Sequence, residues 1–381
     1  PFDFTRASSA TVVNKAGLIE TVGSGEPRID FSNDAKGALL LEPTRSNLVT
    51  YSEAFDNAAW TKNSSSVVSG FISPDGSNNA FKLVTNNGVN IVSSGIQQNQ
   101  ALSNSSYAIS FFAKKGDYNQ IKCQSRDTAS AGTNFVVTVD LEDNTILTQT
   151  SSGNYSLDNV STEYISDYIR VKISFTSATS NTIRFRIFNS DSSQTVGNGT
   201  SGIYIYGAQL EQGSYATSYI PTQGSAVTRV KDASNQTVPS GIIGQTEGTV
   251  YIQLGELNES NNFYLELNNG SGSTKRIGIY ADANNFLRNL IVGGGDSSVI
   301  QTNYEPQSND KIAITYKTNE AKIFVNGIQR GVTDTTVGIP TTSIFSLQIN
   351  TSNRAKSVKF KEVKLYNTAL TDAELQALTK I

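Results

Sequence analysis

Short segments in which apolar and polar residues alternate run through most of this 381-residue chain. The alternation is regular at residues 169–175 and 182–188 in the first half, and at residues 249–254 and 311–316 in the second. A period of two residues places one face of a β-strand on a core and the other face in solvent. Clusters of Asn, Gly and Ser separate the segments, which is typical of β-sandwiches and barrels. The pattern therefore predicts an all-β chain.

The composition excludes several classes of catalytic and metal site. The chain has no His, which rules out a Ser-His-Asp triad, a Cys-His dyad and a His-ligated zinc. Its single Cys, Cys123, allows neither an internal disulfide nor a cysteine-cluster metal site. Lys and Arg number 30 against 33 Asp and Glu, a formal charge of −3, so we expect no nucleic-acid partner. No apolar run approaches about 18 residues, so we expect no membrane insertion.

The strand segments fall into two groups, and these groups define the predicted domains. Residues 1–49 are irregular and rich in Gly and Pro, and we interpret them as an N-terminal attachment segment. Residues 50–221 predict a first β-sandwich, residues 222–244 a polar connector, and residues 245–381 a second β-sandwich. The only predicted helix is residues 371–379, which begins with the spacing of a capping box.

A set of short motifs stands out in residues 1–232. They are FTRASSAT at 4–11, GLIE at 17–20, PRID at 27–30, LLLEPTRSNL at 39–48, YSEAF at 51–55 with Trp60, and YGAQLEQGSYATSYIPT at 206–222 with Thr228 and Arg229. Together they resemble the opening module of tailed-bacteriophage virion proteins of the head spike, tail fibre and minor tail types. The resemblance implies a jelly roll like those of carbohydrate-binding modules for residues 50–221. It also implies a virion location, contacts with other virion proteins and sister subunits, and a homo-oligomer, with a trimer favoured.

The same motifs supply candidates for an oligomer or particle interface. Tyr and Arg are enriched in interface cores, and the candidates are Arg6, Arg28, Arg45, Tyr215, Tyr219 and Arg229. In the alternative interpretation, the tyrosines cap the core of the first sandwich with their hydroxyl groups at its surface. The sequence leaves the two interpretations open.

A second resemblance concerns the last third of the chain. Its motifs are DKIAITYK at 310–317, KIFVNG at 322–327, FKEVKLY at 360–366 and LTDAEL at 370–375. They resemble concanavalin A-like, laminin-G-like sandwiches, which commonly bind glycans and often bind calcium. The fold class predicted for the whole chain is therefore all-β, with a jelly-roll-like and then a concanavalin A-like sandwich after an irregular N-terminal segment.

Sugar binding needs a flat aromatic face for the ring and planar polar groups for the hydroxyls. The aromatic candidates in the first sandwich are Trp60, Tyr155, Tyr164 and Tyr168. A lone Trp is more often a core residue, and this alternative is favoured for Trp60. The three tyrosines lie in less regular sequence, where exposure is expected more often.

Calcium is the cofactor that the oxygen-rich turns of this chain would suit, although nothing in the sequence requires one. The candidate ligands are Asp140, Asp143, Asp191 and Asp310. Aspartates in such turns also cap the backbone without any metal, and that alternative is favoured at each site.

The sequence favours a non-enzymatic role. The remaining machinery for hydrolysis would be a pair of carboxylates, and the Glu-x-Asp-x-Glu strand of concanavalin-like glucanases is absent. Together with the resemblance of residues 1–232 to phage virion proteins, this leads us to expect a virion fibre, spike or decoration protein whose sandwiches attach to host-surface glycans. The alternatives are a structural decoration protein without a ligand and a secreted bacterial carbohydrate-binding adhesin.

Overall fold

Nearly all regular structure in this protein is β-strand. The structure is a computed structural model and describes residues 3–130, 132–257, 264–270, 275–293, 296–348 and 357–381. No described helix is long and apolar enough to cross a membrane.

The first strands, with one 3₁₀ turn at Ile91–Ser93, are β1 (Asp3–Thr5), β2 (Ala10–Val13), β3 (Ile19–Val22), β4 (Arg28–Asp30), β5 (Ala38–Leu41), β6 (Arg45–Asn47), β7 (Thr61–Asn63), β8 (Ser65–Phe71), β9 (Ala80–Thr85), β10 (Gly95–Leu102), β11 (Ser105–Lys114), β12 (Gln120–Asp127), β13 (Asn134–Asp140), β14 (Ile146–Ser152), β15 (Tyr155–Ile165), β16 (Tyr168–Ser177), β17 (Asn181–Ser190) and β18 (Gly202–Gln212).

The remaining elements are β19 (Val227–Arg229), β20 (Ala233–Thr237), β21 (Glu247–Leu257), β22 (Tyr264–Asn268), β23 (Arg276–Ala281), β24 (Leu287–Gly293), β25 (Asp296–Gln301), β26 (Lys311–Lys317), β27 (Glu320–Val325), β28 (Ile328–Asp334), β29 (Ile344–Gln348), β30 (Val358–Tyr366) and the helix α1 (Asp372–Thr379). The predicted capping box is present in α1, because Thr371 and Glu374 bond reciprocally to each other's backbone.

The chain divides into two compact units. The central unit comprises Ala10–Thr21 and Arg45–Arg229, and the C-terminal unit comprises Pro1–Ser9, Val22–Thr44 and Val230–Ile381. In the central unit, one sheet has the strand order β14-β13-β12-β17-β10-β7 and the other β15-β16-β11-β18-β9-β8. In the C-terminal unit the orders are β1-β20-β29-β22-β23-β24-β25 and β28-β27-β26-β21-β30-β5-β4.

Each unit has its own apolar core between its two large sheets. In the central unit, Phe111 from one sheet and Phe135 and Phe185 from the other belong to a single buried cluster. In the C-terminal unit, Ile252 and Ile279 come from opposite sheets and share a second cluster. Such cores follow from the alternation in the sequence, since each strand turns its apolar residues to the same side. The prediction of an all-β chain with two sandwiches is confirmed.

The domain limits differ from the predicted ones at the N-terminus. Residues 1–49 do not form a separate segment, because β5 pairs with β30 and β1 pairs with β20 inside the C-terminal unit. Residues 222–244, predicted to be a connector, contain two strands, and the first of them, β19, pairs with β6 in the central unit. Irregular, short strands carry little periodicity, so the sequence gives no sign of these distant pairings.

Candidate functional site

The predicted aromatic sugar platforms are mostly core residues. Trp60 is buried between Phe55 and Phe185, and its Nε1 donates to the carbonyl of Tyr51 at 2.7 Å. Burial of Trp60 is the alternative that the sequence favoured, whereas the expected exposure is wrong for Tyr155 and Tyr168, whose rings are buried. Their hydroxyl groups reach the rim of the core, where Tyr155 donates to Asn181 Oδ1 at 3.1 Å and Tyr168 donates to the Ile72 carbonyl at 2.8 Å.

Tyr164 is the exception, since 58% of it is exposed. It lies on β15, opposite Ile169 of β16. A sugar-binding role for Tyr164 therefore stays a prediction, and the other three rings have no free face.

The predicted interface arginines Arg6 and Arg28 are buried inside the C-terminal unit. Arg6 Nη1 lies 3.0 Å from Asp232 Oδ1, and Arg28 Nη1 lies 2.7 Å from Glu42 Oε2 while its Nη2 also bonds to Asp232. Burial alone would lower the pKa of Arg28, but Glu42 and Asp232 together raise it. We call these four residues the buried ion cluster. It joins the N-terminal strands to the chain after β19, so these two arginines are not available to a partner surface.

The remaining interface candidates are engaged within the central unit. The Arg45 guanidinium lies 5.4 Å from the centroid of Tyr215, and Arg229 Nη1 donates to Ser218 Oγ at 2.8 Å. Tyr219 is buried, and its hydroxyl donates to Glu53 Oε1 at 3.0 Å. Tyr215 is buried as well, so Tyr215, Tyr219 and Arg229 pack inside the unit. Arg45 is only partly buried, and its interface role stays a prediction.

The four predicted metal ligands are not brought together. Asp140 and Asp143 lie in one turn, where they accept from the backbone N–H groups of Glu142 and Thr145 at 2.8 and 3.0 Å. Asp191 accepts from the N–H of Ser193 at 2.8 Å, in a different loop. The fourth, Asp310, is buried in the C-terminal unit and accepts from Asn326 Nδ2 at 2.7 Å. Each carboxylate caps local structure, as the alternative predicted.

No group of three or more His, Cys, Asp or Glu side chains that could hold a metal ion occurs among the described residues. Among the described residues, Asp140, Asp143, Asp191 and Asp310 therefore do not form a common calcium site.

A different set of polar side chains converges on the sheet that contains β12 and β17. Alternate residues of both strands are buried, so the residues between them face outward. The neighbouring strands β10 and β13 turn amide side chains to the same side. We call this surface the arginine face; it consists of Gln97, Asn99, Lys122, Gln124, Arg126, Asn134, Arg184 and Arg186.

Strand pairing brings the arginines close together. Arg126 lies directly opposite Arg184 in the β12–β17 register, and Arg186 follows two residues later on the same side. Opposite residues have Cβ atoms about 5 Å apart, and same-side neighbours along a strand are about 7 Å apart. Asn99 and Asn134 lie at the two ends of the Arg126–Arg184 row. The result is a compact patch of guanidinium groups flanked by amides.

The second row of the arginine face is held by hydrogen bonds. Arg186 Nε donates to Gln97 Oε1 at 3.0 Å, and its Nη1 donates to Gln124 Oε1 at 3.3 Å. Next to this row, Lys122 Nζ lies 4.7 Å from the centroid of the Phe188 ring, which is buried beneath it. These contacts fix side chains on three strands, β10, β12 and β17, so part of the surface is organised without any ligand.

Within the described part of the chain, the cations of the arginine face have no acidic partners. Among the residues that the structure describes, Lys122, Arg126, Arg184 and Arg186 form no ion pair, whereas five other ion pairs are present in the same unit. The Nε of Arg184 is buried and has no hydrogen-bond partner. Burial lowers the pKa of Arg186, and the charges of Arg184 and Arg126 lower it further. The face therefore carries uncompensated positive charge.

The C-terminal unit has a pocket whose lysines, unlike the cations of the arginine face, are paired with carboxylates. Its volume is about 240 Å³, and its cations are paired within it. Lys359 Nζ lies 2.9 Å from Asp30 Oδ1 and 3.0 Å from Glu256 Oε2, while Lys361 Nζ lies 2.7 Å from Asp34 Oδ2. Burial would lower the pKa of Lys359, but Asp30 and Glu256 raise it. This pocket offers hydrogen-bonding groups to a small polar ligand but little net charge.

Sequence reasoning missed the arginine face, although its signal is present. Lys122, Gln124 and Arg126 alternate with buried residues, as do Arg184 and Arg186. This alternation places the cations on the solvent side of each strand but does not say that β12 and β17 are neighbours. The sequence alone therefore does not show that these cations meet on one surface.

Comparison with known proteins supports the fold of the C-terminal unit. Residues 248–376 match the family model of the concanavalin A-like lectin/glucanases superfamily, which confirms the resemblance for that part of the chain. No curated protein matches the sequence significantly.

Many solved structures are similar to parts of the chain, and two of them serve as examples. One is the CBM40 of the Ruminococcus gnavus IT-sialidase, at 15% identity and a TM-score of 0.29, covering 36% of this chain and 84% of that one. The other is domain 4 of AbnA, a GH43 extracellular arabinanase from Geobacillus stearothermophilus solved with arabinotriose, at 15% identity and a TM-score of 0.32. That match covers 43% of this chain and 82% of the other. A likeness at this level carries no information on ligands.

Proposed function

We propose that this protein is a non-enzymatic, glycan-binding component of a bacteriophage virion, a fibre, spike or decoration protein that contacts host-surface glycans. The observation that carries the glycan-binding part is the arginine face. Eight polar side chains with planar or cationic ends lie there on four adjacent strands. Amide and guanidinium groups are the side chains that hydrogen-bond sugar hydroxyls in a fixed geometry.

The match of residues 248–376 to a lectin and glucanase superfamily supports the same class of ligand. The pocket of the C-terminal unit, in which Lys359 and Lys361 are paired with carboxylates, is a second place where sugar hydroxyl groups could form hydrogen bonds. Weak binding at one site is sufficient on a particle with many copies, because multivalency raises overall avidity by about 10²–10⁴.

The virion part of the proposal rests on the motifs of residues 1–232, which resemble phage head spike and tail fibre proteins. Most of these motifs have structural tasks within the chain. Arg28 and Glu42, from two of them, pair in the buried ion cluster. The motifs therefore support a fold like that of phage virion proteins. Whether this protein is located on a virion is tested by imaging particles. Antibody labelling of intact phage particles by electron microscopy should place the protein on the head or tail surface, and unlabelled particles would contradict a virion role.

Glycan binding is tested with the purified chain on an array of bacterial surface polysaccharides. We expect at least one glycan to bind the wild type and to bind a variant with Arg186→Ala more weakly by about tenfold. The matched control is Lys115→Ala, an exposed lysine of the same unit that lies outside the arginine face. An array without any signal, from a chain shown to be folded, would favour a structural decoration protein without a ligand.

A further inference from the structure

The arginine face carries positive charge that its neighbours do not balance. This charge favours a negatively charged ligand. Lys122, Arg126, Arg184 and Arg186 share one side of two paired strands without an ion pair among the described residues. Like charges directly opposite each other in a sheet are destabilising, and Arg126 and Arg184 are such a pair. A chain of formal charge −3 has acids to place there, yet the facing positions on β10 and β13 are Asn99 and Asn134.

We infer that the arginine face binds an acidic polysaccharide, one that carries carboxylate groups, and that Arg126 and Arg184 together hold a carboxylate. The inference rests on the proposed glycan-binding function and specifies its substrate class. A guanidinium group presents its N–H donors as a planar fork that matches a carboxylate. Two such forks on opposite strands would hold a single anion between them, because Arg126 and Arg184 face each other in the sheet.

The rest of the face fits the neutral part of the same ligand. Gln97 and Gln124 use their carbonyl oxygens to hold Arg186, which leaves their amide N–H groups to donate to hydroxyls. Asn99 is exposed at one end of the Arg126–Arg184 row and offers both a donor and an acceptor. A sugar chain lying along this row meets hydrogen-bonding groups on both sides of the carboxylate.

Two alternative ligands fit the same surface less well. A neutral glycan normally needs an exposed aromatic ring, and Phe188, the aromatic residue in line with Arg184 and Arg186, is buried beneath Lys122. Single-stranded nucleic acid also relies on exposed aromatic side chains for base stacking, and this region of the sheet offers none among its described residues. Both alternatives are outcomes of the experiment below.

The test measures binding of the full chain to polygalacturonate oligomers, with one carboxylate per sugar, and to hyaluronan oligomers, with one per two sugars. Each oligomer is compared with its carboxyl-reduced form and with a single-stranded oligonucleotide. We expect an acidic oligomer to bind, its reduced form to bind at least tenfold more weakly, and the affinity to fall as salt rises. Arg184→Gln should weaken binding about tenfold or more, Arg184→Lys less, and Lys115→Gln not at all.

The outcomes separate this inference from the proposed function. Equal binding of acidic and reduced oligomers, both weakened by Arg184→Gln, would overturn the acidic ligand and leave glycan binding at the face intact. Binding of the oligonucleotide as tight as that of the acidic oligomers would overturn the glycan assignment. Binding that no arginine substitution changes, in variants whose circular dichroism matches the wild type, would place the ligand elsewhere and overturn the inference. Failure to bind any of these acidic oligomers, when a neutral glycan on the array does bind, would overturn it as well.

Discussion

Charged side chains are arranged differently in the two units. In the C-terminal unit, the buried ion cluster sets Arg6 and Arg28 against Glu42 and Asp232, so that cations and acids alternate in space. In the pocket of the same unit, Lys359 and Lys361 are likewise paired with carboxylates. In the central unit, the arginine face gathers Arg126, Arg184 and Arg186 with no acid among them. The first arrangement neutralises its own charge, and the second leaves charge for something outside the chain.

The difference separates structural from binding roles. A buried charge without a partner costs several kcal/mol, so a cluster inside a unit must be balanced to form at all. A cation on an outer sheet face keeps part of its hydration and can remain unpaired at small cost. The buried ion cluster therefore has a structural role, whereas the arginine face is the surface that we propose binds a ligand. Three predictions follow, and the first and the third test this contrast directly.

The largest expected effect is in the buried ion cluster. Asp232→Ala removes the carboxylate that both arginines share, and it also removes the acceptor for the backbone N–H of Glu42, at 2.8 Å. Leaving two buried guanidinium groups underpaired should lower the free energy of unfolding by about 3–5 kcal/mol. Urea unfolding measures the loss. Asp143→Ala, in an exposed turn, is the matched control, and a loss as small as that of the control would show that the cluster is not structural.

The second effect concerns an acid pair in the central unit that is held by neutral groups. Tyr206 Oη lies 3.0 Å from both Glu53 Oε1 and Asp75 Oδ2, and its single hydrogen can satisfy only one of them. Burial raises the pKa of Glu53 and the charge of Asp75 raises it further, although hydrogen bonds from Tyr206 and Tyr219 oppose the change. Because the folded pKa lies above the unfolded one, Glu53 stabilises the fold below its ordinary pKa, and this contribution is lost as pH rises through the raised pKa.

Glu53→Gln should remove that loss. As pH rises from the ordinary pKa of Glu53 to its raised pKa in the fold, the wild type loses stability and the variant does not. The free energy of unfolding of the variant should therefore increase relative to wild type by about 1.4 kcal/mol per pH unit in that interval. Unfolding curves from pH 4 to pH 8 measure the difference, with Glu142→Gln as an exposed control. Asp75 has a lowered pKa, and the loss of stability that it causes as pH falls is common to both proteins. Parallel pH profiles for variant and wild type would show that Glu53 is ionised in the fold at low cost.

The smallest effect should be on the arginine face. Arg184→Gln removes one cation from between Arg126 and Arg186 and breaks no ion pair among the described residues, so stability should change by less than about 0.5 kcal/mol. Thermal or urea unfolding at low salt measures it, where any relief of repulsion is largest. A loss of 2 kcal/mol or more would assign Arg184 a structural role and remove the contrast with the buried ion cluster.

The fold was largely predictable, because strand periodicity is a local property. The segments around Ile173 and Phe185 alternate in sequence and form β16 and β17 in the structure. The helix α1 was predictable from the capping box at Thr371. The N-terminal strands were not, since β5 is too short to show a period and its partner β30 lies more than 300 residues away.

The candidate site was predictable only in part, for the same reason. Tyr164 was expected to be exposed and is, but Trp60, Tyr155 and Tyr168 fill the core. Aromatic rings bury a large apolar area, and a polar atom at the rim of a core is satisfied by a single hydrogen bond, as Tyr168 is by Ile72. Sequence alone cannot tell such a ring from an exposed one.

The sequence by itself determined which residues of each strand face outward, and therefore that Arg126, Arg184 and Arg186 avoid the core. The tertiary structure decided that these residues meet. Side-chain alternation is set by the backbone geometry of one strand, whereas neighbours are set by hydrogen bonds between strands that lie far apart in the chain. The pairing of β12 with β17 places Arg126 opposite Arg184 across 57 intervening residues, and it turns two ordinary surface patterns into one positively charged face.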